Sequence, residues 1–236
     1  DVMACIGFLA FAMVAVCVVL TPVFAGEYQD RTDAVLLTYL CGEATAEAAA
    51  EILFGRTNPS GKIAETFPVR LEDTPSYLNF PGTFDNCDYT EGIYIGYRYY
   101  EKKKIPVLFP FGHGLSYTAF AYSDLSGDED AVTLTVKNTE VVQVYMHDNA
   151  PYVSRPVKEL CGYAKVALAP GEEKRVTIPV ERRVYGFYDE TCGDFYTRSG
   201  EYTLSVGASS ADIRAELVVR VHGDAPKAVR VHRNTY

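Results

Sequence analysis

Residues 131–146 read Ala131-Val132-Thr133-Leu134-Thr135-Val136-Lys137-Asn138-Thr139-Glu140-Val141-Val142-Gln143-Val144-Tyr145-Met146. The first part alternates apolar and polar side chains. A period of two puts Val132, Leu134 and Val136 on one face of a strand. After Lys137-Asn138-Thr139 a second strand is expected over Val141–Met146. Working outward, the same kind of segment recurs at Ala119–Tyr122, Val157–Leu168, Lys174–Val180, Glu201–Gly207 and Ile213–Val221. Turn residues separate these segments, as in Ala169-Pro170-Gly171 and Arg198-Ser199-Gly200.

About seven short strands in roughly a hundred residues is the pattern of an all-β, immunoglobulin-like sandwich. No stretch after Ser116 has a helical period, and no helix beyond three turns is expected there. Upstream the pattern differs. Val16-Cys17-Val18-Val19-Leu20, ended by Thr21-Pro22, and Ala34–Leu40 are continuous apolar runs. Strands covered on both faces of a parallel sheet read this way. An Ala- and Glu-rich helix is expected over Ala44–Leu53, stopped by Gly55. Strands and helices alternating in this way give an α/β class for residues 1–116. The sandwich then covers 117–222, and a polar tail follows over 223–236. Asn58-Pro59-Ser60-Gly61 is a turn signal, residues 68–92 are loop-rich, and Phe109–Gly114 is a kinked connection.

The net charge is -9, which argues against nucleic acid, because phosphate binding needs a basic face. The basic run Lys102-Lys103-Lys104 is expected to be a solvated loop. Cys5, Cys17, Cys41, Cys87, Cys161 and Cys192 form no CxxC pair and have no histidine at zinc-ligand spacing. They are expected to be reduced thiols of a cytoplasmic protein. Residues 2–26 carry no charge and are long enough to span a bilayer or to act as a signal. A buried core is expected there, a helix running into the Val16–Leu20 strand, with a secreted or membrane-anchored protein as the alternative.

Other segments are specific when taken together. Ile52-Leu53-Phe54-Gly55, Asn58–Lys62 and Thr66-Phe67-Pro68 resemble the end of the second domain of glycoside hydrolase family 3. Tyr89–Tyr100 (YTEGIYIGYRYY) and Leu108–Tyr117 (LFPFGHGLSY) resemble the segments that follow. Arg155–Leu160, Pro170-Gly171 and Phe187-Tyr188-Asp189 resemble the family's fibronectin type III-like domain. The β-glucosidase branch is the most similar. The resemblance spans about Val16 to Val221 and supports a buried core over the membrane reading.

The resemblance implies a retaining glycosidase acting on β-glucosides. Such enzymes use two carboxyl groups about 5–5.5 Å apart. In the family the nucleophile is an Asp on an N-terminal barrel, and the acid/base is a Glu upstream of the NPSGK-like segment. No residue here is therefore expected to be catalytic, to bind a cofactor or to hold a metal. The chain is expected to be inactive alone, to need the missing barrel as its partner, and to meet a sugar substrate only in the full-length protein. The alternative is a non-catalytic carbohydrate-binding or structural module.

Among individual residues, Glu91 could reach a sugar, or could anchor its loop through backbone N–H groups or Arg98. Asp73, Asp85 and Asp88 read as loop carboxylates and His113 as a hydrogen-bonded connector. Ser116 lacks a GxSxG context. Glu43 and Glu47, one turn apart with no histidine partner, make a poor metal site. The sequence departs from the family at four places, one of them the degenerate helix before Val16. Lys137–Glu140 is short for a connection between opposite sheets, so it must either cross a gap of about 10 Å or rearrange into a hairpin. Phe195 stands where the family often places Trp, and Cys41 replaces a glycine.

Overall fold

The structure, a computed structural model, describes residues 16–19, 33–39, 42–169 and 171–225. The helix expected before Val16, the Thr21-Pro22 stop, Leu40, Cys41, Pro170 and most of the tail lie outside the described residues. Contacts group the chain into two compact units, Asp1–Pro59 and Ser60–Tyr236.

In the first unit β1 (Val16–Val19) pairs in parallel with β2 (Ala34–Leu37), Val16 opposite Ala34 and Val19 opposite Leu37. The parallel pairing is the one the apolar runs imply. Helix α1 (Thr45–Leu53) follows, with the Thr45 hydroxyl donating to Gly42 O at 2.6 Å. It ends before Gly55, whose φ of 68° lies in the left-handed region that glycine enters without penalty.

The second unit opens with β3 (Phe67–Pro68), helix α2 (Tyr97–Lys103) and β4 (Val107–Phe109), β3 and β4 being paired antiparallel. The sandwich follows: β5 (Ala121–Gly127), β6 (Ala131–Lys137), β7 (Glu140–Asp148), β8 (Glu159–Val166), β9 (Glu173–Pro179), the short hairpin β10 (Phe187–Asp189) and β11 (Asp194–Tyr196), then β12 (Gly200–Gly207) and β13 (Ile213–Val221). One sheet has the order β5-β6-β9 and the other β13-β12-β7-β8. Among the described residues from 118 to 222, the helical element is a single 3-10 turn, Arg182–Tyr185. Val132, Leu134 and Val136 point into the core with Val142, Val144 and Leu204, all fully buried. The alternation read in the sequence therefore marks the inner face of β6.

The connection at 137–140 crosses between the sheets, because β6 pairs with β5 and β9 while β7 pairs with β12 and β8. Three Cα steps reach about 10 Å when extended, which suffices for the gap. Asn138 turns the chain with φ 65°. Its side-chain amide donates to Ala119 O at 2.5 Å, and its Oδ1 accepts from Gly171 N at 2.9 Å. The Thr139 hydroxyl donates to Leu168 O and accepts from Leu168 N, both at 2.9 Å. These side chains pair backbone groups that a longer loop would pair by itself.

Strand β7 is buried on both faces. Gln143 and Tyr145 lie on the face opposite the core and are still 3% and 0% exposed. Segment 97–112 covers them. The Tyr97 ring meets Tyr145 edge-on at 6.0 Å. Gln143 Nε2 donates to Gly112 O at 3.1 Å and to Ala208 O at 2.7 Å. A side chain at position 112 would clash, since a Cβ there falls 2.0 Å from Gln143 Oε1, and φ is 80°. Helix α2 replaces the expected loop around Lys102. Tyr97 and Tyr100, three residues apart, share one buried face, and Lys102 donates to Arg155 O at 2.9 Å.

Lys62 and Glu140 form a second tie. They are 3.1 Å apart, with side chains 10% and 2% exposed. Lys62 also donates to Gly114 O at 2.7 Å. Glu140 Oε1 accepts from Val141 N at 2.7 Å, while Oε2 has no partner. Burial pushes the Glu140 carboxyl above the usual 4.5, against the pull of Val141 N–H and Lys62. Burial likewise raises Glu101, which sits beside Lys158 at 3.2 Å.

A raised pKa means that the folded state holds the proton more tightly than the unfolded chain. These two groups therefore stabilise the fold most below the ordinary glutamate value, and that contribution is lost as pH climbs through the raised values. Asp212, lowered by its hydrogen bond from Arg214, acts in the opposite sense, but below the ordinary aspartate value of 3.8. The expected result is a melting temperature whose fall with rising pH, above about 4.5, is smaller in Glu140→Gln. An unchanged slope in that variant, read by calorimetry across the pH range, would contradict the assignment.

Candidate functional site

The stretch from Val69 to Ile95 is mostly irregular backbone, with a single 3-10 turn at Leu71–Asp73. It leaves Leu71, Leu78, Phe80, Phe84, Tyr89 and Ile95 in solvent, Leu78 at 90% exposure. Single exposed apolar residues are ordinary, but such a concentration marks a surface that meets something.

Beside this stretch lies an open cleft of about 460 Å³, lined by Glu91, Thr90, Tyr94 and Ser154, by Pro75 and Tyr99, and by Lys102 and Lys103 of α2. The Tyr94 hydroxyl is tied to Ser154 Oγ at 2.5 Å. Thr90 Oγ1 accepts from the Asn79 side-chain amide. Glu91 is the single carboxylate of the lining, and its Oε2 is shielded from water with no hydrogen-bond partner.

The anchor weighed from the sequence is absent from Glu91. Arg98 is engaged elsewhere, 3.3 Å from Glu159. Glu159 in turn holds Arg155 at 2.8 Å, and the nearly buried Arg155 guanidinium donates to Val184 O and Tyr185 O at 2.9 Å. The Tyr97 hydroxyl accepts from Leu160 N at 2.8 Å. This Arg-Pro-Val-Lys-Glu-Leu segment therefore holds α2 against the sandwich and, with it, one wall of the cleft.

The remaining candidates are scattered. Asp73 pairs with Arg70 at 3.0 Å. Asp85 and Asp88 are exposed, Asp88 beside a separate hollow of about 150 Å³. His113 stacks on Phe109 at 5.2 Å, its backbone bonds Pro110 and Ile63, and burial lowers its pKa. Ser116 Oγ lies 3.2 Å from Thr118 Oγ1. Glu43 precedes α1 and Glu47 lies on it, both exposed. Among the described residues no cluster of His, Cys, Asp and Glu could hold a metal ion, and no helix is long and apolar enough to cross a membrane. Cys87, Cys161 and Cys192 are free thiols. Phe195 pairs with Tyr188 across the β10–β11 hairpin and lies under Arg183, whose guanidinium is 4.9 Å from the ring centroid.

Retaining hydrolysis needs two carboxyl groups facing one sugar, and this cleft offers one. The sequence could name Glu91 as a candidate. The cleft itself was not legible, because Ser154 and Lys102 join it from distant parts of the chain.

Comparison with known proteins agrees with this anatomy. Residues 10–117 match the glycosyl hydrolase family 3 C-terminal domain, and residues 140–210 match the fibronectin type III-like domain. Thermostable beta-glucosidase B of Acetivibrio thermocellus is 48% identical over 207 residues, covering 82% of this chain and 27% of that protein. Exo-alpha-(1->6)-L-arabinopyranosidase of Bifidobacterium breve is 38% identical over 213 residues, covering 86% and 28%. The chain thus spans about a quarter of the length of these curated relatives. Among solved structures, the GH3 beta-glucosidase of Bifidobacterium adolescentis superposes with a TM-score of 0.78 at 38% identity, covering 86% of this chain and 32% of that one. The beta-glucosidase of Kluyveromyces marxianus in complex with glucose gives 0.78 at 39%, covering 83% and 25%.

Proposed function

This chain belongs to glycoside hydrolase family 3, and from that premise we propose that it serves as the non-catalytic C-terminal portion of a β-glucoside-cleaving enzyme. Its cleft has one carboxylate where the chemistry needs two, and its 69–95 stretch lays apolar side chains open to solvent. That surface is the observation that carries the reading: an upstream barrel would cover it and would bring the nucleophile and the acid/base. The sandwich and α2 act as the rigid support on which the 69–95 stretch is displayed. Sugar and linkage preference come from the upstream part. The β-glucosidases and the arabinopyranosidase among the relatives fit that division of labour, since chains alike in this region carry different activities in their names.

A chimera tests the reading. The C-terminal quarter of the Acetivibrio thermocellus enzyme is replaced by this chain, and hydrolysis of an aryl β-glucoside is followed. The chimera is expected to keep turnover within about tenfold of the parent, roughly 1.4 kcal/mol of barrier, while this chain alone gives none. A folded but inactive chimera would count against it. So would turnover by the isolated chain that Glu91→Gln abolishes.

A further inference from the structure

Three of the most exposed apolar side chains of the 69–95 stretch sit together on one short turn, residues 78–88. Leu78 is 90% exposed, Phe80 75% and Phe84 fully. The turn is held in shape by its own backbone. The N–H groups of Asn79 and Phe80 both donate to Ser76 O at 2.9 Å, and Thr83 and Asn86 exchange backbone hydrogen bonds of 3.0 and 3.1 Å. The Asn79 side-chain amide donates to Thr90 Oγ1, which closes the base. Gly82 has φ 99°, and a Cβ there would fall 2.2 Å from Asn86 O. Phe84 has φ 53°, a left-handed conformation that a bulky residue adopts only at a cost. Packing inside the chain does not repay that cost, because the ring lies in solvent. A turn that is fixed, strained at Phe84 and open in its apolar side chains is pre-organised for a partner.

The charges of the turn select that partner. Asp85 and Asp88 are exposed, and the turn carries no basic residue. Nor does the wall of the hollow beside it, about 150 Å³ in volume. A second copy seated here about a twofold axis would bring the same surface against itself, and the carboxylates of both copies would crowd one contact. The occupant must instead be apolar at its centre and basic at its edge, so that the potentials of the two faces are opposite. The chain spans about a quarter of the length of its relatives. The upstream portion of the same enzyme is therefore a surface that every copy of the turn would meet.

We propose that the 78–88 turn is the anchor by which this chain docks on the upstream portion. Leu78, Phe80 and Phe84 enter an apolar pocket there, and Asp85 and Asp88 meet lysine or arginine side chains at its edge. The inference rests on the reading of the chain as the C-terminal portion of a larger enzyme. It adds to that reading the place of the contact and the charge that its counterpart carries.

The test digests the full chain, and the chimera with the Acetivibrio thermocellus enzyme, with chymotrypsin. Cleavage after Tyr77, Leu78 and Phe84 is timed by mass spectrometry, and the ratio of the two rates measures protection of the turn. The chain alone is expected to be cut there readily, and the chimera at least about tenfold more slowly. Asp85→Lys with Asp88→Lys is expected to lower that protection by about fivefold or more at low salt. The effect should shrink in about 1 M sodium chloride, where the screening length is about 3 Å. Leu78→Ser, read at Phe84, should lower protection at both salt concentrations. All these variants should leave the melting temperature of the chain alone unchanged, because they alter exposed groups. A turn cut equally fast in chain and chimera, or protection indifferent to the charge reversal, overturns the proposal. So does a chain that sediments as a dimer and becomes a monomer in Phe84→Ser, which would make a second copy the occupant. Activity of the chimera reports separately. An active chimera whose turn stays open to the protease removes this contact and keeps the family function. A turn protected in this charge-dependent way in an inactive chimera does the reverse.

Discussion

Lys62→Met is expected to lower the unfolding free energy of the unit from Ser60 onward by about 3–5 kcal/mol. The pair it breaks is buried on both sides, Lys62 at 10% and Glu140 at 2% exposure. Methionine keeps most of the apolar stem but removes the charge. Glu140 then stays in the interior with Val141 N–H on one oxygen and nothing on the other. Gly114 O also loses its donor. At a few degrees per kcal/mol for a unit of this size, the melting temperature should fall by roughly 10 °C at neutral pH. The cost should shrink in acid, where Glu140 takes up a proton and the uncompensated charge disappears. Glu140→Gln in the Lys62→Met background should recover part of the loss, because a neutral amide is cheaper to bury than an unpaired carboxylate. Thermal unfolding of the four combinations measures this directly. Additive effects, or a Lys62→Met cost within about 0.5 kcal/mol, the range of ordinary surface changes, would show the pair to be incidental.

A chain cut to residues 60–225 is expected to melt as one cooperative unit, and one cut to 117–225 to be unfolded or nearly so. The sequence alone gives the sandwich its own core and leads to a protease-resistant remnant from about residue 117. The structure adds three ties that such a cut would remove. Lys62 leaves Glu140, Gly112 leaves Gln143, and the Tyr97 hydroxyl leaves Leu160 N. Tyr145, fully buried on the outer face of β7, would lose its cover of Tyr97 as well. The cut also opens Glu140 to water, so no buried charge is stranded, and the loss comes from the bared apolar and aromatic surface of β7 and the missing backbone ties. Against a typical domain stability of only about 5–15 kcal/mol, such a loss leaves little. Scanning calorimetry of the two truncated chains decides the matter. A 117–225 chain as stable as 60–225 would mean that segment 60–116 rests on the sandwich without supporting it.

Part of this molecule is written locally. Alternation in Val132-Thr133-Leu134-Thr135-Val136 fixes which side chains of β6 face the core, because a strand turns successive residues to opposite faces. The apolar runs at Val16–Val19 and Ala34–Leu37 point to the parallel pair the structure shows, since runs without polar alternation are the mark of parallel-sheet strands. Gly55 ends α1 because a left-handed residue must. Each of these depends on neighbours within a few residues, so each is legible in a sequence.

The tertiary structure decided the rest. Only it shows that Lys137–Glu140 crosses between sheets, because the alternatives differ in partners far along the chain: Ala119, Leu168 and Gly171 satisfy Asn138 and Thr139. It takes Arg98 away from Glu91 and gives it to Glu159, leaving one Glu91 oxygen shielded and without a partner. It turns the Lys102–Lys103 run into the last turn of a helix whose Tyr97 and Tyr100 are buried. The physical reason is common to all three. Periodicity and turn chemistry act through the backbone over a few residues, whereas the pairing of a charge or the covering of a face depends on which distant groups the fold brings within about 4 Å.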